Sequence, residues 1–161
     1  WAVTFGGAAE DYGYALTRAS DGGYAIAGTT NSYTTDIQRD LWVIRADSKG
    51  DRVWDNHYSD EAFEYGRSIV QTKDGGFVIA GSLMDNDKGT MDALLARTDA
   101  AGEFQWFYRY DKGGKDGFYG LTQAPDQGFV AVGYAKTTTD GNEDLWIEKT
   151  DSNGIGPDKK E

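Results

Sequence analysis

The sequence predicts an all-β fold of β-propeller type, with three blades of about 52 residues in one domain of 161 residues. Three observations predict it. The stretch Asp21-Gly22-Gly23-Tyr24-Ala25-Ile26-Ala27-Gly28-Thr29 returns as Asp74-Gly75-Gly76-Phe77-Val78-Ile79-Ala80-Gly81-Ser82 and again as Asp126-Gln127-Gly128-Phe129-Val130-Ala131-Val132-Gly133-Tyr134. Gly28, Gly81 and Gly133 stand 53 and 52 residues apart, a period that marks stacked structural repeats. The apolar runs are short and β-type, and 22 glycines against two prolines suit many strands joined by tight turns. No stretch of about ten residues or more carries a 3.6-residue period, so no helix is expected.

Each period holds four runs. The first centres on a tryptophan, at 1–5, 54–58 and 106–110. A Gly/Asp-rich loop leads to the second, at 14–18, 67–71 and 119–123. The Asp-Gly-Gly turn, a strong hairpin signal, feeds the third run, which starts at Tyr24, Phe77 and Phe129. A longer polar loop precedes the fourth, at 40–45, 92–97 and 144–149. Asp47-Ser48-Lys49-Gly50, Asp99-Ala100-Ala101-Gly102 and Asp151-Ser152-Asn153-Gly154 then close it as turns.

Tight turns join strands of one sheet, so a blade is the second, third and fourth runs followed by the next tryptophan run. This divides the chain into a spare outer strand at 1–8, blades at 9–60 and 61–112, an incomplete blade at 113–154, and a tail at 155–161. The third blade lacks its outer strand, and the first strand is out of phase. Adding the spare strand to another copy's third blade would make a homo-oligomer, either a six-bladed ring of two chains or a filament. The chain opens on Trp1 rather than methionine, which fits a removed leader or a piece excised from a longer propeller.

A net charge of −11 with no basic stripe argues against a nucleic-acid partner. The absence of cysteine excludes disulfides and thiolate chemistry, and no apolar window is long enough for a membrane span. His57 is the sole histidine, flanked by Asn56 and Tyr58 in an expected outer strand, and reads as a surface residue. No Gly-x-Ser-x-Gly elbow or phosphate loop is present.

The residues most suggestive of a site precede or open the second run. Asp11, Glu64 and Asp116 are equivalent positions, and on an innermost strand they would ring the channel mouth, holding Ca²⁺ or presenting acceptors to sugar hydroxyls. The alternative is that they cap loops. Tyr14, Arg67 and Tyr119 form a second matched set, suited to stacking on a ligand and hydrogen-bonding it. Asp85 and Asp87, with Asp92 downstream, resemble the start of a calcium loop without its terminal glutamate. No other cofactor is expected. Asp40, Asp92 and Asp144 recur at the head of the fourth run and are expected to accept backbone N–H groups from the preceding loop. Trp1, Trp54 and Trp106, and also Trp42 and Trp146, could stack on sugars, but their fixed place in the repeat favours packing between blades.

The repeats resemble the bacterial and archaeal extracellular β-propeller repeats marked by Asp-Gly-Gly-aromatic-x-x-Ala-Gly-Thr, over nearly the whole chain from Trp1 to Gly154. Asp47-x-x-Gly50-x-x-x-Trp54 and Asp99-x-x-Gly102-x-x-x-Trp106 are also similar to the tryptophan-docking repeat of quinoprotein-type propellers. That likeness implies an indole wedged between neighbouring blades. The vicinal cysteines of many quinoprotein enzymes are missing here, so it implies architecture and not a dehydrogenase. The expected function is a non-enzymatic scaffold or binding module outside the cell or on its surface, acting by self-association or by recognising a glycan or a cell-surface protein. The alternative is an enzyme that works on a polysaccharide with paired carboxylates such as Asp11 and Glu64.

Overall fold

The computed structural model describes residues 1–34, 39–59, 62–85, 88–136 and 141–160. Those residues form strands and no helix. In order, the strands are β1 (Asp11–Arg18), β2 (Tyr24–Thr30), β3 (Asp40–Ala46), β4 (Arg52–Tyr58), β5 (Phe63–Gln71), β6 (Phe77–Asp85), β7 (Thr90–Thr98), β8 (Phe104–Tyr110), β9 (Asp116–Gln123), β10 (Phe129–Lys136), β11 (Glu143–Thr150) and β12 (Lys159–Lys160). They make three antiparallel sheets with sequential neighbours: β1 to β4, β5 to β8, and β9 to β11. The phase expected from the turns is therefore the phase observed. No described helix is long and apolar enough to cross a membrane.

One expectation is corrected at the start of the chain: residues 1–10 form no strand, because no described segment offers them a ladder partner. In the tail, β12 pairs with β8 and extends the second sheet to five strands.

The Asp-Gly-Gly turns work through the aspartate. Asp21 accepts the Gly23 N–H at 3.1 Å and pairs with Arg45 at the end of β3. Asp74 and Arg97, and Asp126 and Lys149, repeat the arrangement at 2.5 and 2.8 Å. The turn needs a left-handed residue after the aspartate, with φ of 91° at Gly22 and 89° at Gly75. The third copy puts Gln127 there at φ 68°, the one non-glycine residue with positive φ among those described.

Two apolar clusters join the sheets. Leu41 and Val43 of β3 pack with Ile79, Leu83 and Leu94 between the first and second sheets. Ala93 and Leu95 of β7 pack with Phe118, Ala131 and Trp146 between the second and third. The central strand β6 is covered on both faces, so every residue from Phe77 to Leu83 is buried.

The tryptophans supply the docking contacts. A Cβ added to Gly102 would meet the Trp54 ring at 2.7 Å, and one on Gly154 would meet Trp106 at 2.6 Å. Trp54 lies edge-on to Phe77 at 6.0 Å, and Trp106 to Phe129 at 6.3 Å. The tryptophan of one repeat thus docks on the turn glycine and the leading aromatic of the next. Trp1 repeats the contact from outside any sheet: it meets Gly50 at the same 2.7 Å, lies edge-on to Tyr24 at 6.1 Å, and donates its indole N–H to Ser48 O at 3.1 Å.

Candidate functional site

The first strands of the three sheets, β1, β5 and β9, lie side by side. Each carries a register shift, between Gly13 and Ala15, between Gly66 and Ser68, and opposite Val132 and Gly133. The residues left out of the ladder by these bulges are Tyr14, Arg67 and Tyr119. A bulged residue is freed from strand alternation and can be aimed elsewhere. Here the three converge. The Arg67 guanidinium carbon lies 5.2 Å from the Tyr119 ring centre, 5.3 Å from Tyr65 and 5.8 Å from Tyr14. Tyr14 stacks on Tyr12 at 6.2 Å, and Tyr119 on Tyr134 at 5.5 Å. Tyr14 and Tyr119 remain 43% and 54% exposed. Burial pushes the Tyr134 phenol up to about 12, with Tyr119 adding to the effect. Its hydroxyl donates to Met91 Sδ at 3.0 Å.

The matched carboxylates occupy different ground. Glu64 and Asp116 are fully buried, so they do not line a solvent-filled mouth. Asp116 accepts the Lys112 and Lys136 N–H groups at 2.7 and 3.1 Å. Asp11 accepts hydroxyls from Thr30 at 2.5 Å and Ser32 at 2.6 Å, and the Gly7 N–H at 2.9 Å. Burial works to raise its pKa, but these donors outweigh it and hold the carboxyl below its usual value. Asp11 and Asp116 thus tie down loops.

The structure brings together a group that the sequence did not suggest. Carboxylate oxygens of Asp92, Asp111 and Asp116 lie within 4.8 Å of one another, across the junction of the second and third sheets. The spacing is one that a Ca²⁺ with oxygen ligands at about 2.4 Å would bridge. Burial raises the pKa of Asp92, with Asp111 adding to it, while Arg109 works in the opposite direction. Asp116 is raised by burial first as well. The expected calcium loop is not assembled in the described residues. Asp87 lies outside them, and Asp85 pairs with Lys88 at 2.8 Å.

The three matched aspartates at the head of the fourth run diverge. Asp40 is buried and meets His57 Nδ1 at 2.9 Å, with residues 35–38 of the loop before it outside the described residues, Asp92 joins the acidic cluster, and Asp144 is exposed. Trp42 donates to Asp55 at 3.0 Å, and Trp146 packs on Phe118 at 4.6 Å, so both indoles are occupied within the protein.

The two ends of the array are unlike. On β11, Leu145 and Ile147 are 75% and 61% exposed, whereas Leu41 and Val43, their equivalents on β3, are fully buried against the second sheet. The β11 edge has no strand beside it among the described residues. At the other end the Trp1 segment lies against the first sheet, where Phe5 lines a small cavity of about 160 Å³ with Tyr12, Ile26, Trp42 and Ile44.

No family model matches the chain, and comparison with curated proteins gives no match.

Proposed function

We propose that the three sheets are propeller blades and that the chain is a non-enzymatic scaffold module that assembles head to tail by strand exchange. The observation that carries this is the Trp1 dock. Trp1 contacts Gly50 and Tyr24 as the outer-strand tryptophans Trp54 and Trp106 contact the sheets that follow them. This supports a reading in which residues 1–5 take the position of the outer strand of a preceding blade and the bare edge of β11 receives such a strand from another copy.

In this reading the 1–5 segment of one copy keeps its own dock and adds alongside β11 of another. Leu145 and Ile147 then meet the first sheet of the incoming copy. Burying those two side chains contributes roughly 3–6 kcal/mol, against about 4–15 kcal/mol lost in association. Side-chain burial there does not suffice alone, so the main-chain hydrogen bonds of the added strand must contribute. The acidic, cysteine-free composition supports a place outside the cell, and the sequence resemblance a bacterial or archaeal one. Full burial of Glu64 speaks against the polysaccharide-active alternative built on it with Asp11.

Light scattering tests the assembly. The 161-residue chain is expected at twice 17.6 kDa or a higher multiple, falling to the mass of a single chain when residues 1–8 are removed and again in an Ile147→Lys variant. A 17.6 kDa species at tens of micromolar would overturn it.

A further inference from the structure

We propose that Arg67, Tyr14 and Tyr119 form a binding site for an acidic sugar, with the carboxylate of a uronic acid taken by the Arg67 guanidinium and the sugar ring lying against the tyrosines. Three observations carry it.

The first is the bulges. The three inner strands each depart from regular pairing at the same place, and in each the displaced residue is the one that joins the cluster. Beyond the bulge the ladder resumes, Ala15 facing Ala27 in the first sheet, so the displaced side chain leaves the regular alternation.

The second is the state of Arg67. In a chain of net charge −11, with Arg39, Arg45 and Arg97 each held by a carboxylate, Arg67 forms no ion pair among the described residues and lies over the rings of Tyr14, Tyr65 and Tyr119. Stacking on ring faces engages the flat surface of a guanidinium and leaves its N–H edge for a planar, two-oxygen acceptor. A carboxylate meets that geometry.

The third is the exposed aromatic surface beside it. Tyr14 and Tyr119 flank the guanidinium and are about half exposed. Such rings offer apolar faces to the C–H groups of a pyranose and phenolic hydroxyls to its alcohols. The surrounding negative charge disfavours loose attraction of anions, so recognition depends on contact with this cluster.

The test is a titration of the 1–161 chain, followed through tyrosine ring NMR signals, with D-glucuronate, D-glucose and acetate as separate probes. Glucuronate is expected to shift the Tyr14 and Tyr119 signals saturably, with glucose and acetate each at least about tenfold weaker. Arg67→Gln should abolish the response, and Arg67→Lys, which keeps the charge but loses the planar fork, should weaken it by about tenfold. The Lys variant also guards against a folding defect in the Gln variant. An equal response to acetate would reduce the site to a bare anion contact and overturn the proposal. So would an equal response to glucose, an undiminished response in both variants, or no saturable shift with glucuronate.

Discussion

At the scale of single residues, the tryptophan dock explains why a glycine and an indole recur together without touching inside one motif. Gly102 serves Trp54 of the repeat before it, so each sheet is keyed to its neighbour by one flat contact. The glycine is doubly constrained, by a φ of 90° and by the indole that lies where a Cβ would stand. Gly22 has nearly the same φ, 91°, with nothing within 4 Å of its missing Cβ. Gly22→Ala is expected to cost about 1 kcal/mol, the backbone contribution alone. Gly102→Ala should cost roughly 2–4 kcal/mol, since the indole must also move. Urea denaturation of both variants checks the difference, and equal losses would mean that the dock adds nothing to stability. The sequence showed the Gly and Trp spacing plainly. It did not show which glycine meets which tryptophan, because that depends on how the turn of one sheet reaches the next.

At the scale of elements, β3 and β11 are copies with different surroundings. Leu-Trp-Val-Ile in one and Leu-Trp-Ile-Glu in the other alternate alike, yet only β3 has sheet or chain packed on both faces. Val43→Lys should cost more than about 3 kcal/mol, because a charge would enter the first apolar cluster. In dilute protein, Ile147→Lys should stay within about 0.5 kcal/mol of the parent. Chemical denaturation of the pair reads this directly, and a large loss in the second variant would place a covering partner on β11 even at low concentration. Strand order, turn positions and the grouping of strands into sheets were all legible from the repeat. The β12 pairing was not, because a two-residue strand carries no periodic signal. The bulges were invisible too, although the match of Tyr14, Arg67 and Tyr119 marked the positions they occupy.

At the scale of the whole molecule, stability is a chain of junctions, each sheet resting on the next. The second junction holds an acidic cluster on Asp92, Asp111 and Asp116 that no single repeat encodes, which is why the sequence did not suggest it. Asp92 has a folded pKa raised above its usual 3.8, first by burial and then by Asp111. A raised carboxylate contributes fully below pH 3.8 and loses that contribution as pH climbs through the folded value. Asp92→Asn should therefore match the parent in acid and melt higher than it at neutral pH, as followed by thermal midpoints across that range. Asp74 and Asp11 act in the opposite sense, with pKa lowered chiefly by hydroxyl hydrogen bonds, and weaken the fold as pH falls below 3.8 in parent and variant alike. A variant that melts lower at neutral pH would show the Asp92 charge to be held favourably by Arg109 or by a bound cation.

The Trp1 contact has a further consequence for how such a chain can change in length. Every junction uses the same key, an indole from one repeat, and the same lock, a turn glycine and an aromatic from the next. Gain or loss of one whole period by unequal recombination leaves each surviving key facing a lock, wherever within the period the exchange falls. A chain with one period more or fewer can then keep every junction without a new surface.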